Sequence, residues 1–181
     1  MTEPRAKILL AYARWTALSA LRSGAPIKKR ADVYPLLSRG VFARLEDQAL
    51  GKIGADEFDA WHRQACIRMI GRERRLGLGW ATKLLNVYLK TYAYVGGAGR
   101  PGLATVLHPP IDARLWRGLK REFSEKRPDI LALTNCVDRI KDIADYPCYQ
   151  RIIAGCRLAA TALDCTLFEV EQLWDGTKIA E

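Results

Sequence analysis

Apolar residues recur every three or four positions along almost the whole chain, and no stretch alternates apolar with polar residues as a half-buried strand does. A chain patterned this way buries its apolar stripes by packing helix on helix. Breakers then mark off the elements. Residues 4–21 carry Ile8, Leu9, Tyr12, Trp15, Leu18 and Leu21 on one stripe, the expected inner face, and Gly24 and Pro26 stop this helix. Asp32 and Pro35 suit the start of a second helix reaching about Leu50, which Gly51 and Gly54 end. Asp56 is placed to cap a third, with Phe58, Trp61, Ala65, Cys66 and Met69 facing inward. A fourth covers residues 80–95, and the glycine-rich run 96–102 reads as a flexible, exposed loop.

Further on, His108-Pro109-Pro110 bars helix until Asp112, which caps one running to about Phe123. Asp129 opens another that reaches about Ile143, and residues 149–163 form the next. Thr166 and Glu169 make a capping box for a short terminal helix. The expectation is an all-α fold of seven or more helices. It forms one domain over 1–181, or two lobes in which 56–122 pack against 1–50 and 129–181.

Lys and Arg together number 29 against 20 for Asp and Glu, a net charge of +9, which favours a polyanionic partner, nucleic acid before an anionic membrane. Charged residues interrupt every apolar run before about 18–20 positions, so no membrane span is expected. The N-terminal residues lack a signal-peptide pattern, and a cytoplasmic location follows by default. The five cysteines form no Cys-x-x-Cys pair, and His62 and His108 are the two imidazoles. Neither a zinc site nor an iron–sulfur cluster is expected, and no cofactor is called for.

The chemistry concentrates in Arg74-Arg75-Leu76-Gly77-Leu78-Gly79-Trp80-Ala81-Thr82-Lys83. Two glycines one residue apart, set between helices, describe a tight hairpin. Its amides and those of the following helical turn make a phosphate site, which Arg74 and Arg75 would reinforce. The same glycines also suit a plain connection between antiparallel helices. In the helix beyond, Leu84, Leu85, Tyr88 and Tyr92 form a core stripe, with Lys83, Asn86 and Lys90 on another side. A lysine facing a cleft loses its proton more readily and can act as a nucleophile.

The segment Leu107-His108-Pro109-Pro110-Ile111-Asp112 delivers a carboxylate to a helix start, either as a plain N-cap or aimed at a developing positive charge. On the helix it opens, Arg114, Arg117 and Arg121 recur as a basic stripe.

The Leu-Gly-Leu-Gly hairpin at 76–79, Lys83, and Pro-Pro-Ile-Asp before Leu115-Trp116 together resemble the helix-hairpin-helix DNA glycosylases, most nearly their 8-oxoguanine branch. The resemblance covers residues 56–122. It implies a helix-hairpin-helix fold in which Gly77 and Gly79 grip duplex DNA, Lys83 is the nucleophile and Asp112 the catalytic aspartate. Lys83 follows the second glycine by four residues, where familiar members have two, and Leu76 stands where they have proline. The implied chemistry is excision of a damaged base turned out of the stack, with possible strand cleavage through a Schiff base on Lys83. Trp80, Trp116 or Tyr88 would stack on the extruded base. Two further readings stay open: a non-catalytic nucleic-acid-binding module of a mobile-element or defence system, and a helical interaction domain with no nucleic-acid role.

Overall fold

A computed structural model of the chain describes residues 2–21 and 24–174; Met1, residues 22–23 and 175–181 lie outside them. Among the described residues the fold is all-α, without strands. Its nine α-helices are α1 (Glu3–Ser19), α2 (Arg30–Val33), α3 (Arg39–Glu46), α4 (Ala55–Arg72), α5 (Leu78–Leu89), α6 (Leu103–Val106), α7 (Ala113–Phe123), α8 (Pro128–Thr134) and α9 (Tyr146–Ala162). Short 3₁₀ turns link several of them.

Helix α5 is the axis of the molecule. Leu78, Trp80, Ala81, Leu84, Leu85, Tyr88 and Leu89 are all buried, since α1 and α4 pack along it and the 3₁₀ turn Ile140–Asp142 crosses its start. Helix α9 pairs with α8, which in turn packs against α7. One hydrophobic cluster runs through these contacts, from Ala13 of α1 to Val170.

Helix α1 turns a different face inward from the one its pattern suggests. Ala13 and Ala17 are fully buried, whereas Ile8, Tyr12 and Trp15 are 71%, 53% and 54% exposed. Small side chains let the α1 backbone approach α5 closely, so the aromatic stripe is left outside. Thr16 Oγ1 lies 2.8 Å from Thr91 Oγ1 across this seam.

Other boundaries also shift. The helix expected from Asp32 to Leu50 is broken into α2, a 3₁₀ turn over Tyr34–Leu37, α3 and a second 3₁₀ turn over Gln48–Leu50. Pro35 lacks the amide that a continuous helix would need, and Ser38 is extended. Gly54, not Asp56, is the N-cap of α4. The stretch from Asp129 gives only α8 before an irregular segment and the 3₁₀ turn Ile140–Asp142. Helix α9 starts earlier than residue 149, because Asp145 caps it through the Cys148 amide at 2.8 Å. Glu169 Oε2 accepts from both the Thr166 amide and hydroxyl at 2.8 Å, but the element it opens, Phe168–Leu173, is 3₁₀.

The glycine-rich segment 96–102 is packed down. The Arg100 amide donates to Leu45 O at 2.8 Å, and its guanidinium, 3% exposed, donates to Glu57 Oε1 at 2.7 Å, Gly51 O at 2.9 Å and Leu50 O at 3.0 Å. Gly99 is required here: its φ is +100°, and a Cβ would meet Leu103 Cδ2 at 2.4 Å. The glycines allow this close approach and the buried arginine fixes it.

Candidate functional site

The chain enters α5 through a turn in which the Leu76 amide donates to Glu73 O at 2.9 Å, with Leu76 itself buried. Gly77 is the N-cap, with extended backbone and open space where a side chain would be. Gly79 differs: a Cβ there would sit 1.8 Å from the Ile140 carbonyl oxygen. Its lack of a side chain serves close packing of α5 on the segment 140–142.

From this start, Lys83, Val87 and Lys90 project along one side of α5 and of the π-helical turn that prolongs it, Lys90–Val95. Opposite them lies the first turn of α7. The two prolines deliver Asp112 there with extended φ and ψ of −156° and 176°. Asp112 Oδ1 accepts from the Arg114 amide at 3.0 Å, the Leu115 amide at 3.2 Å and Trp174 Nε1 at 3.0 Å. Its other oxygen, Oδ2, accepts from Lys83 Nζ at 3.0 Å. Both side chains are mostly covered, 12% and 18% exposed. Burial works against the carboxylate's charge, but the Lys83 ammonium and the two amides outweigh it and hold Asp112 below the usual range. A second ion pair follows along α5, Lys90 Nζ to Glu171 Oε1 at 2.8 Å. Burial raises the Glu171 carboxyl above its ordinary value against the pull of Lys90.

These pairs line a cleft of about 910 Å³ between α1, α5 and the start of α7. Lys83, Lys90, Arg114, Arg139 and Lys141 contribute to its wall, against the carboxylates of Asp112, Asp138 and Glu171. Trp80 also lines it, with Lys83 Nζ 5.9 Å from its ring centroid, and Arg114 lies 4.9 Å from the centroid of Trp174.

Of the residues singled out in the sequence, Lys83, Asp112, Trp80 and Arg114 thus meet in one cleft. Trp116 does not; it is 7% exposed and its Nε1 donates to Thr134 O at 2.8 Å, so it is a core residue and no stacking platform. Tyr88 is fully buried as well. Arg117 and Arg121 lie on exposed positions farther along α7. At the hairpin, Arg74 is exposed, while Arg75 is held by Glu73 at 2.6 Å and Asp32 at 3.3 Å. The Arg75 hydrogen bonds pull the Glu73 carboxyl down to about 2. A guanidinium already matched by two carboxylates has little charge left for a phosphate.

The structure also holds a polar network behind the cleft that periodicity does not reveal. Asn86, 1% exposed, donates through Nδ2 to Pro109 O at 3.1 Å and to Tyr149 OH at 2.9 Å. With the amide nitrogen committed, Asn86 Oδ1 accepts from His62 Nε2 at 2.9 Å, and His62 Nδ1 faces Tyr146 OH at 2.9 Å. His108 Nε2 donates to the Asp59 carboxylate at 2.8 Å, leaving Nδ1 to accept from Tyr149 OH at 3.1 Å. Arg157 closes the chain on Asp59 Oδ2 at 2.8 Å. Burial lowers both histidines, which stay neutral; for His62 the neighbouring His108 adds to this, and for His108 the Asp59 carboxylate opposes it. The consequence is positional. Asn86 lies one turn beyond Lys83 and grips the carbonyl three residues before Asp112, so the network sets the two ends of the Lys83–Asp112 pair against each other. The spacing of Lys83, Asn86 and Lys90 is visible in the sequence, but one of these residues points inward and two point to the cleft.

Among the described residues no three His, Cys, Asp or Glu side chains converge as a metal-holding group, and no helix is long and apolar enough to cross a membrane. No family model matches the chain, and comparisons with curated proteins and with solved structures return no significant match.

Proposed function

We propose that the protein is a DNA-binding enzyme of the helix-hairpin-helix glycosylase type, with Lys83 as nucleophile and Asp112 as the charge-stabilising carboxylate. The observation that carries this reading is the lysine–aspartate pair, 3.0 Å apart and largely covered, at the wall of a cleft of about 910 Å³ with a basic surplus. A cleft of this size accommodates one extruded nucleotide.

In the reaction, the sugar of a turned-out nucleotide enters beside Lys83 and Asp112. Asp112, kept anionic by its amide and indole donors, faces the positive charge that grows on the sugar as the glycosidic bond lengthens. Lys83 gives up its ammonium proton to water and attacks the anomeric carbon as the free amine, and the electron pair of the breaking carbon–nitrogen bond leaves with the base, which takes a proton from water. The adduct then sheds its second amine proton and opens the sugar ring to give an imine, with the ring oxygen protonated. Loss of a C2′ proton from the protonated imine to water forms the C2′–C3′ double bond, expels the 3′ phosphate and so cleaves the strand.

The direct test is base release from oligonucleotides that each carry one lesion, 8-oxoguanine among them. The wild-type chain should free the base from at least one of them, and Asp112→Asn should slow release by on the order of 10²-fold or more. Absence of release across the set would overturn the catalytic reading. The engagement of all four Asp112 contacts within the fold favours one alternative, a non-catalytic nucleic-acid-binding module in which the pair only braces α5 to α7. That module predicts salt-sensitive DNA binding without base release.

A further inference from the structure

Two large aromatic side chains stand unburied at the mouth of the cleft. Tyr12 and Trp15, both more than half exposed, are stacked with ring centroids 5.6 Å apart and planes 20° from parallel. Both line the cleft that Lys83 and Asp112 also line. Their helix is firmly seated, with Ala13 and Ala17 fully buried and Thr16 against Thr91. The pair is therefore a fixed ledge.

Its chemistry selects an occupant. Two stacked rings with nearly parallel planes, each more than half exposed, leave aromatic faces open to solvent. The residues around the cleft are cationic in excess, Arg114 and Lys141 among them, with Arg139 paired to Asp142 at 2.8 Å. Flat aromatic surfaces flanked by cations suit a nucleobase with its phosphates running alongside. In an intact duplex each base face is covered by its neighbours, so a protruding ledge reaches a base only where the strand is unpaired. We propose that Tyr12 and Trp15 stack an unpaired base next to the nucleotide held in the cleft, so that the substrate class is single-stranded or locally unpaired DNA. This rests on reading the cleft as a DNA site, but it involves different residues from the proposed chemistry.

The experiment measures binding at low salt of a fluorescently labelled 12-nucleotide single strand and of the matching duplex. It compares the wild-type chain, Tyr12→Ala/Trp15→Ala and Ile8→Ala. Because both aromatics are exposed, the double variant should keep the wild-type circular dichroism and Tm. The wild type should bind the single strand at least tenfold more tightly than the duplex, with quenching of indole fluorescence. The double variant should lose at least tenfold in single-strand affinity, and Ile8→Ala, an exposed change on the same helix outside the cleft, should bind as the wild type does. Equal affinity of the double variant and wild type, or tighter binding of duplex, overturns the proposal even if base release is found. So does attraction to anionic phospholipid vesicles that depends on the two aromatics while the oligonucleotide does not bind. Ledge-dependent single-strand binding without base release would uphold it and reject the catalytic reading instead.

Discussion

Replacing Asn86 with leucine removes the centre of the polar network while keeping a branched side chain of four heavy atoms. Asn86 is 1% exposed and its amide serves His62 Nε2, Pro109 O and Tyr149 OH. Tyr149 keeps His108 as a partner, at 3.1 Å, so leucine strands two buried groups, the His62 N–H and the Pro109 carbonyl. Each stranded group costs about 1–3 kcal/mol, which together gives a destabilisation of about 2–6 kcal/mol. For a chain of this length each kcal/mol lowers Tm by roughly 2–4 °C, so the variant should melt about 4–24 °C below wild type. Thermal unfolding followed by circular dichroism at pH 7 reads this directly. His62→Phe combined with Asn86→Leu should cost less than the sum of the two single changes, because neither partner then leaves the other unpaired. A single-variant Tm within about 2 °C of wild type would mean that the network carries no buried hydrogen-bond energy.

The same network predicts an acid-sensitive fold. His62 and His108 are held below 6.5 in the folded state, so the unfolded chain takes up protons first as pH falls, and urea midpoints should drop from pH 7 toward pH 5. Asp59 and Asp112, both lowered from 3.8, add a further loss below about pH 4; a flat profile from pH 7 to 5 would be incompatible with buried neutral histidines. At the hairpin, Gly79→Ala should destabilise by about 2 kcal/mol or more, since overpacking against Ile140 exceeds the helix-propensity gain, whereas Gly77→Ala should cost less than about 1 kcal/mol. Denaturant unfolding of the two variants distinguishes them, and equal stability would remove the packing argument for Gly79. For DNA binding, Arg114→Ala should weaken affinity and flatten its salt dependence more than Arg75→Ala, because Arg75 is already paired with Glu73 and Asp32. Titrations at several salt concentrations that rank them the other way would move the interface from the cleft to the hairpin.

Much of this architecture is legible in the residues. The helical class follows from periodicity, and the break at His108-Pro109-Pro110 with the cap at Asp112 follows from the chemistry of proline and aspartate. The juxtaposition of Lys83 and Asp112 is an expectation of the family resemblance alone; no local pattern encodes it, because side chains 29 positions apart meet only through tertiary packing. The inner face of α1 departs from its pattern for a specific reason: hydrophobicity ranks Tyr12 and Trp15 above Ala13 and Ala17, whereas close approach to α5 selects small side chains. The glycine-rich run 96–102 departs from the exposed loop expected of it because Arg100, a residue type that composition assigns to solvent, pins it down. The network of Asn86, His62 and His108 has no sequence signature, since isolated polar residues on apolar faces carry no pattern of their own.

The proposed mechanism stands or falls on Lys83 as an amine nucleophile at the sugar. Sodium borohydride reduces the resulting imine to a stable amine and so traps protein on DNA. With a lesion-bearing oligonucleotide the wild-type chain should give a covalent adduct whose yield rises with pH and whose modified peptide contains Lys83, and Lys83→Ala should give none. No adduct on any lesion, or equal trapping by Lys83→Ala, would remove Lys83 from the chemistry.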